Sequence, residues 1–99
     1  MKRVNLEISL EQDDKRLVVN LRIAEDVEGD DFIFICIQPT DPDENPLFEE
    51  DLELDMFRHG NSQRENLEND LLKHLSDPDT QEVLVAVNDL ISLWNNPPN

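Results

Sequence analysis

The side chains that could do chemistry are 24 carboxylates, two histidines and one cysteine in a chain of 99 residues. Asp41-x-Asp43-x-Asn45 opens like a calcium loop. Such a loop needs glycine at its sixth position for the sharp turn and a bidentate glutamate at its twelfth. Those positions hold Pro46 and Leu52, so no dedicated metal site is expected. One cysteine and two histidines, far apart, give no zinc-ligand spacing. His59 and His74 are candidate bases, but a histidine base also needs an orienting carboxylate and a nucleophile or substrate pocket. In a chain this rich in carboxylates, their nearness carries no information. The same abundance empties any pairing of carboxylates for glycosidic chemistry. Cys36 sits inside an apolar run and reads as a small packing hydrophobe, not a nucleophile. Gly29 and Gly60 are the only glycines, too few for a phosphate-cradling loop. A domain of this size also has little volume for a substrate pocket. The expectation is a protein that binds without catalysing, with no catalytic residue and no cofactor.

The distribution of acid points to what it binds. Eight Lys and Arg stand against the 24 acids, for a formal net charge of −16. That charge excludes nucleic-acid binding through phosphate neutralisation and attraction to anionic membranes. From Arg22 to Arg58 no Lys or Arg intervenes, and 13 acids do: Glu25, Asp26, Glu28, Asp30, Asp31, Asp41, Asp43, Glu44, Glu49, Glu50, Asp51, Glu53 and Asp55. Eight of them fall between Asp41 and Asp55. Like charges at this density destabilise a compact state. A basic protein surface as partner is the functional reason to keep them, since complementary potential speeds encounter and rejects wrong partners. A sharper version is nucleic-acid mimicry, in which the carboxylates occupy a site that normally takes phosphates, as an inhibitor of a nucleic-acid-binding effector would. The plainer reading is a solvated, solubilising surface. Adaptation to a high-salt cytosol would also select acid and deplete lysine, of which there are three, but ten asparagines argue against it.

The elements that must carry these residues follow from periodicity. Hydrophobic residues are 37% of the chain and charged ones 32%, a balance near that of disordered chains. The patterning nevertheless predicts folding. Val4, Leu6, Ile8 and Leu10 alternate with Asn5, Glu7 and Ser9, as in a half-buried strand. After a polar turn over 11–16, Val19, Leu21 and Ile23 share one face of a second strand, with Asn20 and Arg22 on the other. Residues 25–31 form an acidic turn around Gly29. The run Phe32-Ile33-Phe34-Ile35-Cys36-Ile37 predicts a central strand covered on both faces and ended by Pro39. Pro39, Pro42 and Pro46 mark a loop. Segment 47–57 fits two templates. Leu52, Leu54 and Met56 alternate as in a strand, while Phe48, Leu52 and Met56 share a helical stripe.

Ser62 and Glu65 form a capping-box pattern ahead of the stripe Leu67, Leu71, Leu72, Leu75, with Lys73 and His74 in the last turn. Asp77-Pro78 predicts an N-cap and a first-turn proline for a second helix carrying Val83, Leu84, Val87, Leu90, Ile91 and Trp94. The short connection predicts an antiparallel helical hairpin. The expected architecture is α+β. An antiparallel sheet of three or four strands is followed by a two-helix hairpin on one face, as one domain over 1–94 with a frayed tail over 95–99. No apolar run reaches the roughly 20 residues of a membrane span. Met1-Lys2-Arg3 is followed by alternation and not by the apolar core of a signal peptide. With a lone cysteine, this predicts a reducing compartment, the cytoplasm.

The expected interface is Asp41, Asp43, Glu44, Glu49, Glu50, Asp51, Glu53 and Asp55, with Glu25, Asp26, Glu28, Asp30 and Asp31 secondary. The alternative is an assembly protein using an apolar helix face around Trp94, to which a partner or a second copy would dock.

Overall fold

The structure, a computed structural model, describes residues 3–41 and 43–96, save the side chains of Asn61 and Ser62. Pro42 of the expected loop, and Pro97, Pro98 and Asn99 of the expected tail, lie outside the described residues. Four strands, β1 (Arg3–Gln12), β2 (Lys15–Glu25), β3 (Asp31–Pro39) and β4 (Phe48–Glu53), pair antiparallel in the order β1-β2-β3-β4. Three helices follow: α1 (Leu54–His59), α2 (Asn61–Leu72) and α3 (Asp77–Asn95). The fold is α+β, with three helices where two were expected. No described helix is long and apolar enough to cross a membrane.

The first hairpin follows its alternation. Val4, Leu6, Ile8 and Leu10 pair with Ile23, Leu21, Val19 and Leu17 on one face. The polar turn is tighter than the six residues expected. Only Asp13 and Asp14 lie between the strands, both at positive φ (51° and 64°). That is the type I′ geometry whose twist suits a two-residue hairpin, and aspartate is among the residues that tolerate it. The β2–β3 turn is held by Asp26, whose Oδ1 accepts hydrogen bonds from the backbone N–H of Glu28 and of Asp30, both at 2.9 Å. Gly29 supplies the positive φ (88°) this turn requires.

One expectation for β3 is corrected. The strand is central, but only Ile33, Ile35 and Ile37 face the helices and are buried; Phe32, Phe34 and Cys36 are half-buried on the opposite face. The neighbouring strand explains why. Register places Phe34 beside Arg22 and Cys36 beside Asn20, so polar groups share that face and keep it in water.

Segment 47–57 is both of its templates in turn. Phe48, Glu50 and Leu52 alternate along β4, and the chain then turns into α1, where Leu54 and Phe57, three apart, are buried. Met56, placed inward by either template, is 53% exposed because the period changes at Glu53. The helix caps shift as well. α2 begins after Gly60, without a side-chain cap, so Ser62 lies within the helix and not at its cap. Leu72 is exposed, because it lies roughly 140° around the helix from Leu67 while Leu71 stays on the same stripe. Ser76, not Asp77, caps α3, its Oγ accepting from the Asp79 N–H at 3.3 Å. Asn95, expected in the tail, is the last residue of α3.

The helices lie on one sheet face. α3 covers β1 and β2, α1 rests on β3 and β4, and α2 packs against both helices. Leu21, Ile23, Ile33, Ile35, Leu67, Leu71, Val87 and Leu90 are among the buried residues of the core. Burying one such side chain contributes about 1.5–3 kcal/mol, against about 1 kcal/mol or less for an exposed ion pair. The core, not the few ion pairs, offsets the repulsion among surface carboxylates.

Candidate functional site

Strand register divides the acid block that is continuous in sequence. Glu49, Asp51 and Glu53 stand opposite Cys36, Phe34 and Phe32. Side chains alternate along a strand, so these three acids are exposed on the face away from the helices. Among the described residues, no lysine or arginine forms an ion pair with them. Glu50 points the other way, opposite buried Ile35, and is half-buried. Burial raises its carboxyl above the ordinary value, and the charges of Asp70 and Asp51 push in the same direction.

The remaining acids collect at the two ends of the sheet. Asp41, Asp43 and Glu44 lie between β3 and β4, next to the first hairpin turn. There Lys15 Nζ is 3.6 Å from Glu44 Oε1, and the Thr40 N–H donates to the Arg16 carbonyl at 3.2 Å. Glu25 and Asp31 close the β2–β3 ladder at the opposite end, with Asp26, Glu28 and Asp30 in the turn between them. Nine residues of β3 separate the two ends, about 30 Å of extended chain. Carboxylate oxygens of Asp26, Glu28 and Asp30 lie within 4.8 Å of one another. Asp26 is already occupied in tying the turn through backbone amides, so the cluster is accounted for by local structure. Asp55 is exposed in the first turn of α1. Twelve of the 13 acids therefore make a row on β4 and two end clusters, with Glu50 turned inward, and Asp55 stands apart on α1.

The β4 row borders a surface that sequence reasoning missed. Across the open face, successive ladder rows read Arg3–Ala24–Phe32–Glu53, Asn5–Arg22–Phe34–Asp51 and Glu7–Asn20–Cys36–Glu49. The Arg22 guanidinium lies 4.5 Å from the Phe34 ring centroid, and the Phe32 and Phe34 centroids are 6.4 Å apart. Shallow depressions flank Phe34. One of about 580 Å³ is walled by Asn5, Glu7, Asn20, Arg22 and Cys36. The other, of about 300 Å³, is walled by Cys36, Glu49 and Asp51. The signal available in sequence was the polar off-face of β2, Asn20 and Arg22, which must share its side of the sheet with part of the neighbouring apolar run.

Cys36 is on this face. Burial pushes its thiol up, and the charge of Glu49 and the bond from Sγ to Glu49 Oε1 (3.9 Å) push the same way. The thiolate that nucleophilic chemistry needs is disfavoured there. His59 and His74 are exposed, the latter with its ring edge toward Phe48 at 6.2 Å between centroids. Trp94 is 5% exposed and belongs to the core, so the indole is not offered to a partner.

No protein-family model matches the chain, and no curated protein and no solved structure matches it significantly.

Proposed function

We propose that the protein is a non-catalytic binding module that engages a basic protein surface, with Glu49, Asp51 and Glu53 as the principal contacts and the two end clusters as flanking charge. The observation that carries this reading is the β4 row, which presents three exposed carboxylates on an ordered strand without ion-pair contact to any lysine or arginine among the described residues. A fixed row of unneutralised charge offers more to a cationic partner than the same charges on a loop, because less side-chain and backbone freedom is lost on binding.

Charge spacing favours a general basic surface over replacement of duplex DNA. Alternate residues of a strand stand about 6.7 Å apart. One strand of duplex DNA carries a charge per roughly 3.4 Å of axis, so the β4 row has about half the density of a single phosphate backbone. The partner's cations are therefore expected to be spaced for a protein acid row and not for a phosphate backbone.

The test is a pull-down from nuclease-treated lysate of the native cell, eluted in steps of rising salt, with wild type beside the Glu49→Lys, Asp51→Lys, Glu53→Lys triple variant. The expected result is a basic protein held by wild type, released at moderate salt and absent from the variant. Equal capture by both proteins would refute the reading.

A further inference from the structure

We propose that the open sheet face is a docking surface for a basic amphipathic α-helix of the partner protein, an inference that rests on the acidic-row reading. The face carries two parallel stripes. Phe32, Phe34 and Cys36 form an apolar stripe on β3, and Glu53, Asp51 and Glu49 stand opposite them, one for one, on β4. A solvated antiparallel sheet ordinarily presents polar residues on its outer face, so aromatic rings in the middle of this one need an explanation. An apolar stripe beside an anionic stripe is the complement of a helix with an apolar stripe beside a cationic flank.

Three arguments select a helix over another element. An isolated strand laid on the sheet face would bury backbone N–H and C=O groups without partners, whereas a helix satisfies them internally. The spacings also agree. Helix positions i, i+4 and i+8 rise by about 6 Å per step against about 6.7 Å for alternate strand residues, a drift that flexible lysine and arginine stems absorb over three contacts. Finally, Arg22 bounds the apolar stripe on its β2 side, over the Phe34 ring. It repels cations from that side, so the basic flank of the helix must lie over β4. The surface thus sets which way the helix faces.

Two synthetic peptides test this by titration into the intact protein. One is a helical peptide with leucines along one stripe and lysines along the adjacent flank. The other has the same composition, shuffled so that no face is apolar. The amphipathic peptide is expected to bind about tenfold more tightly than the shuffled one. It should shift backbone amide resonances at 32–36 and 49–53. Phe34→Ser should weaken the amphipathic peptide by about tenfold and leave the shuffled one unchanged; Phe32→Ser replaces it if circular dichroism shows the first variant unfolded. Equal affinity for the two peptides, or amide shifts confined to 26–30 and 41–44, would overturn the docking surface. In that case, loss of both peptides on Asp51→Lys, Glu53→Lys would leave the acidic row standing. Failure of both peptides to bind, or binding indifferent to that charge reversal, would overturn both.

Discussion

The guanidinium of Arg22 stacks 4.5 Å above the ring centre of Phe34, and Asp51 pairs with Phe34 in register, one strand further on. Arginine, aromatic ring and carboxylate thus follow one another across three strands. The stack is partly exposed, where a cation over a ring is worth about 0.5–1 kcal/mol. Arg22→Ala should lose about that much in urea denaturation, and Arg22→Lys should lose less. Equal stability of Arg22→Ala and wild type would show that the stack is geometric only.

Glu50 is the acid that the fold turns inward. Burial first, then the charges of Asp70 and Asp51, hold its carboxyl above the ordinary value. The folded chain therefore binds this proton more tightly than the unfolded chain does. Its contribution to stability falls as pH rises from the ordinary glutamate value, near 4.3, through the raised folded value, and the deficit persists above it. Glu50→Gln should be more stable than wild type at pH 7, and the difference should vanish near pH 3. Denaturation midpoints at the two pH values check this, and a pH-independent difference would contradict it.

Asp13 and Asp14 both occupy left-handed backbone, which costs roughly 1–2 kcal/mol for most side chains and less for aspartate. Asp-Gly is the preferred pair for this turn. Asp14→Gly should raise stability by about 0.5–1 kcal/mol after the entropic cost of glycine, or several degrees in Tm for a domain of this length. Asp14→Asn removes the same charge without glycine's freedom, so a smaller gain there separates strain from repulsion.

Thr80 is fully buried, and its Oγ1 has no hydrogen-bond partner among the described residues. An unmatched buried hydroxyl costs on the order of 1 kcal/mol or more. Thr80→Val keeps the branched shape and removes the hydroxyl, and should stabilise α3 against the sheet by about that amount. A destabilised variant in thermal melts would show that the hydroxyl is satisfied in solution.

Two-residue alternation made the first hairpin legible in sequence, because Val4 to Leu10 and Leu17 to Ile23 place an apolar side chain inward at each second position. The C-terminal helices were legible for the analogous reason at helical spacing. What failed was any inference that depended on a neighbour. The run from Phe32 to Ile37 shows six apolar residues and nothing of what lies over them; its outer face is decided by Arg22 and Asn20, supplied by another strand. Segment 47–57 resisted assignment because its period changes at Glu53, so neither template fitted the whole of it. The acid block was visible as a count along the chain. Its partition into a row, two end clusters, one inward carboxylate and Asp55 on α1 was not, because pairing register and element boundaries, not sequence proximity, place those side chains.

β4 is a six-residue edge strand, and edges are where β proteins recruit copies of themselves into fibrils. A second β4 laid alongside in either direction would bring carboxylates against carboxylates, and like charges across a ladder are destabilising. The row therefore works as a kinetic safeguard against ordered aggregation, and it is a safeguard made of like charge alone. Concentrated salt screens repulsion between exposed charges, and the barrier weakens while the strand edge stays in place. High salt is the condition in which this protein is expected to form fibres, and dilute buffer the one in which its shelf life is long.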